Sequence, residues 1–159
     1  MNTSRSLIVV SLCGATSLFC SPLFAFPTSP HHGIMQLSAG AASTCALLAD
    51  RHVMCWGEGA LAASASPSQV PNITNAVSVA SGNNFACALL LDQTIKCWGV
   101  NSSGQLGDST FLSRNVDPEP VVIAKKPFGG VVAIAAGDSH ACDQSFRHGF
   151  QCLLLGIKF

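Results

Sequence analysis

The chain has 159 residues, 8 Lys+Arg against 8 Asp+Glu and a formal net charge of zero, which excludes a polybasic nucleic-acid binder and an acidic tail. Only 10% of residues are charged while 48% are hydrophobic, so the chain is not disordered, and its many Gly, Ser and Asn argue against a helical bundle. The anomaly is 8 Cys beside no Tyr.

The chain opens on a positive charge at Arg5, then runs apolar or small and uncharged from Leu7 to Phe26, and breaks at Pro27, Ser29 and Pro30. This pattern predicts a secretory signal peptide over residues 1–25, cut after Ala25, followed by a linker over 26–33. The alternative, an uncleaved anchor, is weakened by Pro22 and the interspersed Ser, Gly and Cys. Neither Cys13 nor Cys20 follows the small residue that lipid attachment needs. The expected location is therefore secreted or periplasmic, with no membrane association after the leader is removed. The mature chain keeps 134 residues and 6 Cys. An even cysteine count in an exported chain points to disulfides.

The six cysteines pair by spacing: Cys45 and Cys55, Cys87 and Cys97, Cys142 and Cys152 are each 10 residues apart. Three segments align on them, GAASTCALLADRHVMCWG from Gly40, GNNFACALLLDQTIKCWG from Gly82 and GDSHACDQSFRHGFQCLLLG from Gly137, with starts 42 and 55 residues apart. Periods of this size belong to propellers or solenoids. Val77–Ala80 and Val131–Ile134 precede the second and third as short strands feeding a turn. Each segment reads as a hairpin, over 40–57, 82–99 and 137–156. In the first, a three-residue loop at Ala49-Asp50-Arg51 pairs 48 with 52 and so sets Cys45 opposite Cys55; the second does the same around Leu91-Asp92-Gln93. Opposed residues about 4.5 to 5.5 Å apart can be bridged. The competing reading is small apolar residues filling a tight core, and a zinc site is disfavoured because each hairpin offers only two ligands. Alternation turns Trp56 and Trp98 away from the cysteine face, which Leu47 and Leu89 share, so both faces are apolar and the sheet must lie between others. Both indoles are expected to pack rather than to stack on a ligand.

The second unit continues as CWGVNSSGQLGD. With Cys97-Trp98-Gly99, Asn101 and Gly104-Gln105-Leu106-Gly107 in place, it resembles a repeat of the regulator of chromosome condensation family, in the bacterial, alpha-tubulin-suppressor-like form that often carries paired cysteines. The first unit keeps Cys55-Trp56-Gly57 but has Glu58 to Ala65 where the Gly-Gln-Leu-Gly run would stand. The third keeps Ala135-Ala136-Gly137, His140 and Cys142, then departs. The resemblance covers roughly residues 34 to 142 and implies an all-β, partial β-propeller over 34–159, with two clear blades and part of a third. Gly99, Gly104 and Gly107 fall where the chain must turn sharply. A phosphate cradle is disfavoured because no Lys-Ser/Thr or helix start follows the glycines. His140 stands at the family's recurrent structural position, where a hydrogen-bonded scaffold role is expected rather than catalysis.

The family ring has seven blades, so this arc is not expected to close alone. Its open ends invite self-association. After Cys142, codons read one nucleotide out of frame permit a family-like hairpin, so a frameshift near Ala141 or Cys142 is one reading of the tail. On that reading Cys152 matches the spacing by coincidence. The other reading is a genuine divergent strand from Phe150 to Ile157. Asn72-Ile73-Thr74 and Asn101-Ser102-Ser103 are glycosylation sequons only in a eukaryotic secretory pathway.

With no nucleophile, base and orienter together, the functional expectation is a non-enzymatic module that binds a protein, without cofactor, metal or nucleic acid. Family analogy offers guanine-nucleotide exchange on a small GTPase, which export opposes. Inhibition of a secreted enzyme such as a β-lactamase is the third reading. The repeat itself does not encode which residues touch the partner.

Overall fold

The computed structural model describes residues 33–58, 64–123, 126–127, 129–146 and 149–153. The expected leader and all of the linker but Gly33 lie outside them. The described regular structure is all strand. β1 (Ile34–Ala39), β2 (Ser43–Leu48), β3 (Val53–Gly57) and β4 (Ser64–Gln69) form one antiparallel meander, and β5 (Ala76–Ser81), β6 (Phe85–Leu90), β7 (Ile95–Gly99) and β8 (Arg114–Pro120) form a second in the same order. The short ribbon of β9 (Val122–Ile123) and β10 (Lys126–Pro127) leads to a third sheet, β11 (Val131–Ala136), β12 (Ala141–Ser145) and β13 (Gly149–Leu153). These are the blades of a partial propeller.

The hairpins form because their turns are locally satisfied. Leu48 N–H donates to the carbonyl of His52 (2.9 Å) and Arg51 N–H to that of Leu48 (2.9 Å), with Arg51 at φ 67°. Leu90, Thr94 and Gln93 (φ 65°) repeat the arrangement. This is the type I turn with a left-handed third residue expected of a three-residue loop. Asp50 and Asp92 brace it: the Asp92 carboxylate accepts from the backbone N–H (3.1 Å) and the hydroxyl (2.6 Å) of Thr94. That hydroxyl is the main reason the Asp92 carboxyl lies below its ordinary range.

Those turns fix the register that places Cys45 opposite Cys55 and Cys87 opposite Cys97. Both pairs are disulfide-bonded, with Cα atoms 4.1 Å apart, somewhat closer than the roughly 4.5 Å of directly opposed residues. Cys142 is disulfide-bonded as well, and the residue opposite it across β12 and β13 is Cys152. The third hairpin thus repeats the register of the other two, with its described strand at Gly149–Leu153.

Strand alternation gives every blade two different faces, one carrying the cysteines and one carrying the position of Trp98. Blades stack with a single polarity. The cysteine face of the first blade (Cys45, Leu47, Val53, Cys55) packs on the tryptophan face of the second (Val79, Ala86, Ala88, Leu90, Trp98). The cysteine face of the second (Cys87, Leu89, Ile95, Cys97) packs on Val131 and Ala141 of the third. Near the axis the first contact is polar. The Gln36 side chain brackets Val79 like a strand, donating Nε2–H to its carbonyl and accepting its N–H, both at 3.0 Å. Ser38 and Ser81 exchange two further bonds at 2.9 and 3.1 Å. Each large apolar side chain sealed in these layers contributes about 1.5–3 kcal/mol.

The disulfides of the first two blades lie in these layers at no more than 1% exposure, so reductant reaches them only when blades separate. Replacing Cys87 and Cys97 together by Ala should lower stability by about 2–3 kcal/mol, the cost of freeing a loop of this length in the unfolded chain. Urea midpoints of the oxidised chain and the double variant, with and without reductant, check it. Reductant should shift the midpoint of the double variant less than that of the native sequence.

Candidate functional site

The longest described connection within a blade is the loop of residues 100–113 between β7 and β8, and it is built around one side chain. Asn101 is fully buried. Its Oδ1 accepts from Leu106 N–H (3.0 Å), and its Nδ2 donates to Asp108 Oδ1 (3.1 Å) and to the Thr110 carbonyl (3.0 Å). One amide therefore ties three points of the loop to the end of β7. Ser113 Oγ accepts the Asn101 N–H (3.2 Å), and Gln105, also buried, accepts Ser103 N–H through Oε1 (2.8 Å). Leu106 then drops into the layer between the second and third blades, fully buried beside Cys97 and Val121.

The glycines serve this path. Gly104 and Gly107 take φ of 72° and 63° and close two successive tight turns, Gly104 N–H to Asn101 O and Gly107 N–H to Gly104 O, each 3.0 Å. Gly99 has φ 109°, and a Cβ there would collide with the Asn84 carbonyl. Gly57 occupies the same place against Ala42 in the first blade.

Asp108 closes the outer turn. Its Oδ1 accepts from the Thr110 N–H (2.9 Å) and hydroxyl (2.7 Å), and Arg114 Nε stands 3.5 Å from Oδ2. That contact is an ion pair without hydrogen-bond geometry. Burial raises the Asp108 carboxyl pKa, but the bonds from Thr110 and Asn101, with the Arg114 charge, outweigh burial and leave it below the ordinary carboxylate value.

On this stapled loop Phe111 and Leu112 stand side by side at 63% and 64% exposure. Two adjacent bulky apolar side chains held in water by a braced turn make this loop a candidate contact surface. Sequence reasoning missed them, although two adjacent bulky apolar residues in a run of Gly, Ser, Asp and Thr were the available signal.

The remaining sequence candidates fall into the scaffold. Trp98 is fully buried among Ala86, Ala88 and Leu90, and its indole N–H has no hydrogen-bond partner, whereas Trp56 is only half-buried. The His140 ring lies over Gly137, where a Cβ would collide with it. An open groove of about 580 Å³ lies beside the second blade's hairpin turn, lined by Asn72, Asp92, Thr94 and Lys96 among others. Lys96 Nζ there donates to the Asn72 carbonyl (3.3 Å). It contains no nucleophile paired with a base. Among the described residues no group of three or more His, Cys, Asp or Glu could hold a metal ion. Of the two sequons, Asn72 is exposed, while Asn101 is sealed with its amide nitrogen engaged.

The family model described as the regulator of chromosome condensation repeat matches residues 34–60 and 76–105, and a second model of the same description matches 97–142, together more than half the chain. Comparison with curated proteins finds no match. Among solved structures, human WBSCR16 superposes with a TM-score of 0.66 at 18% identity, over 78% of this chain and 33% of that one. Prp20p from Saccharomyces cerevisiae, described with its binding to Gsp1p and histones, gives 0.63 at 22%, over 75% and 30%. The same yeast protein bound to Kap60 gives 0.63 at 23%, over 79% and 30%. The chain spans about one third of the length of these structures, and the likeness is one of fold.

Asn101→Ala should cost about 1–3 kcal/mol or more, because Leu106 N–H loses its only acceptor in a dry site. Limited proteolysis should then cut between residues 102 and 113 well before the rest of the chain. Asp108 binds protons more weakly folded than unfolded. Its contribution is therefore present above the ordinary carboxylate pKa and is lost as pH falls through the depressed folded value. Thermal midpoints on the acid side should fall less steeply in Asp108→Asn than in the native sequence.

Proposed function

The chain belongs to the regulator of chromosome condensation repeat family, and from that membership we propose that it acts as a non-enzymatic protein-binding module whose contact point is the loop carrying Phe111 and Leu112. The observation that carries this reading is the contrast within that loop. Everything inside it is fixed by Asn101, Gln105 and Asp108, so two large apolar side chains are presented in water at little further cost in conformational entropy on binding. Aromatic anchors of this kind supply most of the energy of a small interface when a partner pocket desolvates them.

The proposal includes export. The leader pattern over residues 1–25 supports it, and so do cysteines joined in pairs, a state that persists in oxidising compartments. It places the partner outside the cytoplasm. That location weighs against nucleotide exchange on a small GTPase, while inhibition of a secreted enzyme remains one form that protein binding can take. Partners that have been described for Prp20p belong to that protein.

Cross-linking to extracytoplasmic proteins of the source cell, with the native chain and Phe111→Ser/Leu112→Ser side by side, tests the contact point. The expected result is a captured protein that the double variant loses by at least about tenfold, at an unchanged thermal midpoint. Equal capture by both chains would remove the loop from the proposal. Mass spectrometry of the exported protein should show Phe26 as its first residue, and acceleration of nucleotide release from a small GTPase by the purified chain would overturn the non-exchange reading.

A further inference from the structure

One position recurs in the innermost strand of all three blades. Leu37 lies opposite Ala46, Val79 opposite Ala88 and Ile134 opposite Asp143, so the three are structurally equivalent and all aliphatic. Val79 is 1% exposed, seated on the cysteine face of the first blade, and Ile134 packs on the cysteine face of the second. Leu37 is 59% exposed. Around it Ala39 is also exposed, and Trp56 is half-buried where its counterpart Trp98 is fully covered. The first blade thus presents a tryptophan face of the kind that is covered in the other two.

The complementary surface is at the other end of the arc. In the third blade, Ala133 and Ala135 stand opposite Gln144 and Cys142, at the places that Gln36 and Ser38 hold in the first blade opposite Leu47 and Cys45. Ala133, Ala135 and Gln144 are exposed and Cys142 is half-buried. Together with Ile134 and Asp143 they line an almost wholly apolar hollow of about 80 Å³. The polar seam of the first interface, Gln36 and Ser38 against Val79 and Ser81, is absent from this pair in a matched way: Ala133 and Ala135 would meet Leu37 and Ala39, leaving no polar side chain of the seam unanswered. The second interface already dispenses with the serine half of that seam, with Ala80 buried where Ser38 stands and Ala136 where Ser81 stands, while Ser78 keeps the place of Gln36 polar.

We propose that a second copy of this chain docks head to tail, its tryptophan face with Leu37 seated on the cysteine face of the third blade around Ala133 and Ala135, continuing the interface that the chain builds twice within itself. The contact is heterologous, joining unlike surfaces, so each copy keeps one free end and the series is open unless its rotation closes it.

Sedimentation velocity of the full oxidised chain, from low to high micromolar concentration, tests this together with Leu37→Asp and Ala135→Asp. Both substitutions fall at exposed positions and should leave the thermal midpoint unchanged. The native chain should show a mass that rises above the monomer with concentration. Each variant alone should associate at least about tenfold more weakly, since docking would bury an unpaired carboxylate. An equimolar mixture should recover a one-to-one dimer and nothing larger, because Leu37→Asp keeps a native cysteine face and Ala135→Asp keeps a native tryptophan face. A native chain that stays monomeric throughout overturns the proposal, as does association that survives either substitution. So does a mixture that fails to dimerise, which would mean that like faces pair or that another surface is used.

Discussion

A cysteine bonded to the residue directly opposite it admits one strand register, and in this chain that constraint decides which side of every blade looks forward and which looks back. Sliding β3 against β2 by one residue would carry Val53 and Cys55 out of the layer they share with Cys45 and Leu47 and turn Trp56 into it. The turns at Arg51 and Gln93 select the same register from the other end of the hairpin, so local backbone geometry and covalent chemistry agree. The blades can then stack in one direction only. Both faces are apolar but they differ, the flat cysteine side receiving the bulkier side on which Val79 and Trp98 project.

The loop after β7 is the second consequence of this stacking. Its path is set at both ends by the sheet, from Gly99 at the close of β7 to Arg114 at the start of β8, and Leu106 is drawn into the layer between blades. What lies between has to satisfy its own polar groups away from any ladder. Asn101 does so with a single amide that both donates and accepts. The cost of fixing the loop is met inside the fold, and the apolar residues left outside are presented to a partner without a further ordering step.

The repeat was legible because spacing survives divergence: ten residues between cysteines is a geometric requirement of the hairpin. The resemblance was legible in Cys97-Trp98-Gly99 and the Gly-Gln-Leu-Gly run, where backbone conformation dictates residue type. Other features were hidden. β8 carries Pro118 and Pro120, which suppress a strand signal and are tolerated because it is the outer edge of its sheet. Trp56 and Trp98 looked alike in sequence, yet burial depends on what lies beyond each blade, which the repeat does not state. Phe111 and Leu112 follow no periodicity, and only the closure of the loop by Asn101 and Asp108 shows that they stand in water. Asp143 was the least foreseeable: it is buried where the sister blades have Ala46 and Ala88.

One-way stacking also imposes an order in time. The sulfurs of the first two blades lie on the face that the following blade covers, so an oxidant can reach Cys45 and Cys55 only before β5 and β6 settle over them, and Cys87 and Cys97 only before β11 and β12 arrive. The chain emerges during synthesis in that same sequence. Every bond can therefore close while its hairpin still lacks a lid, and each completed bond hands a finished surface to the segment that emerges next. A hairpin that missed its moment would seal reduced thiols into a dry layer, out of reach of repair until the blades part.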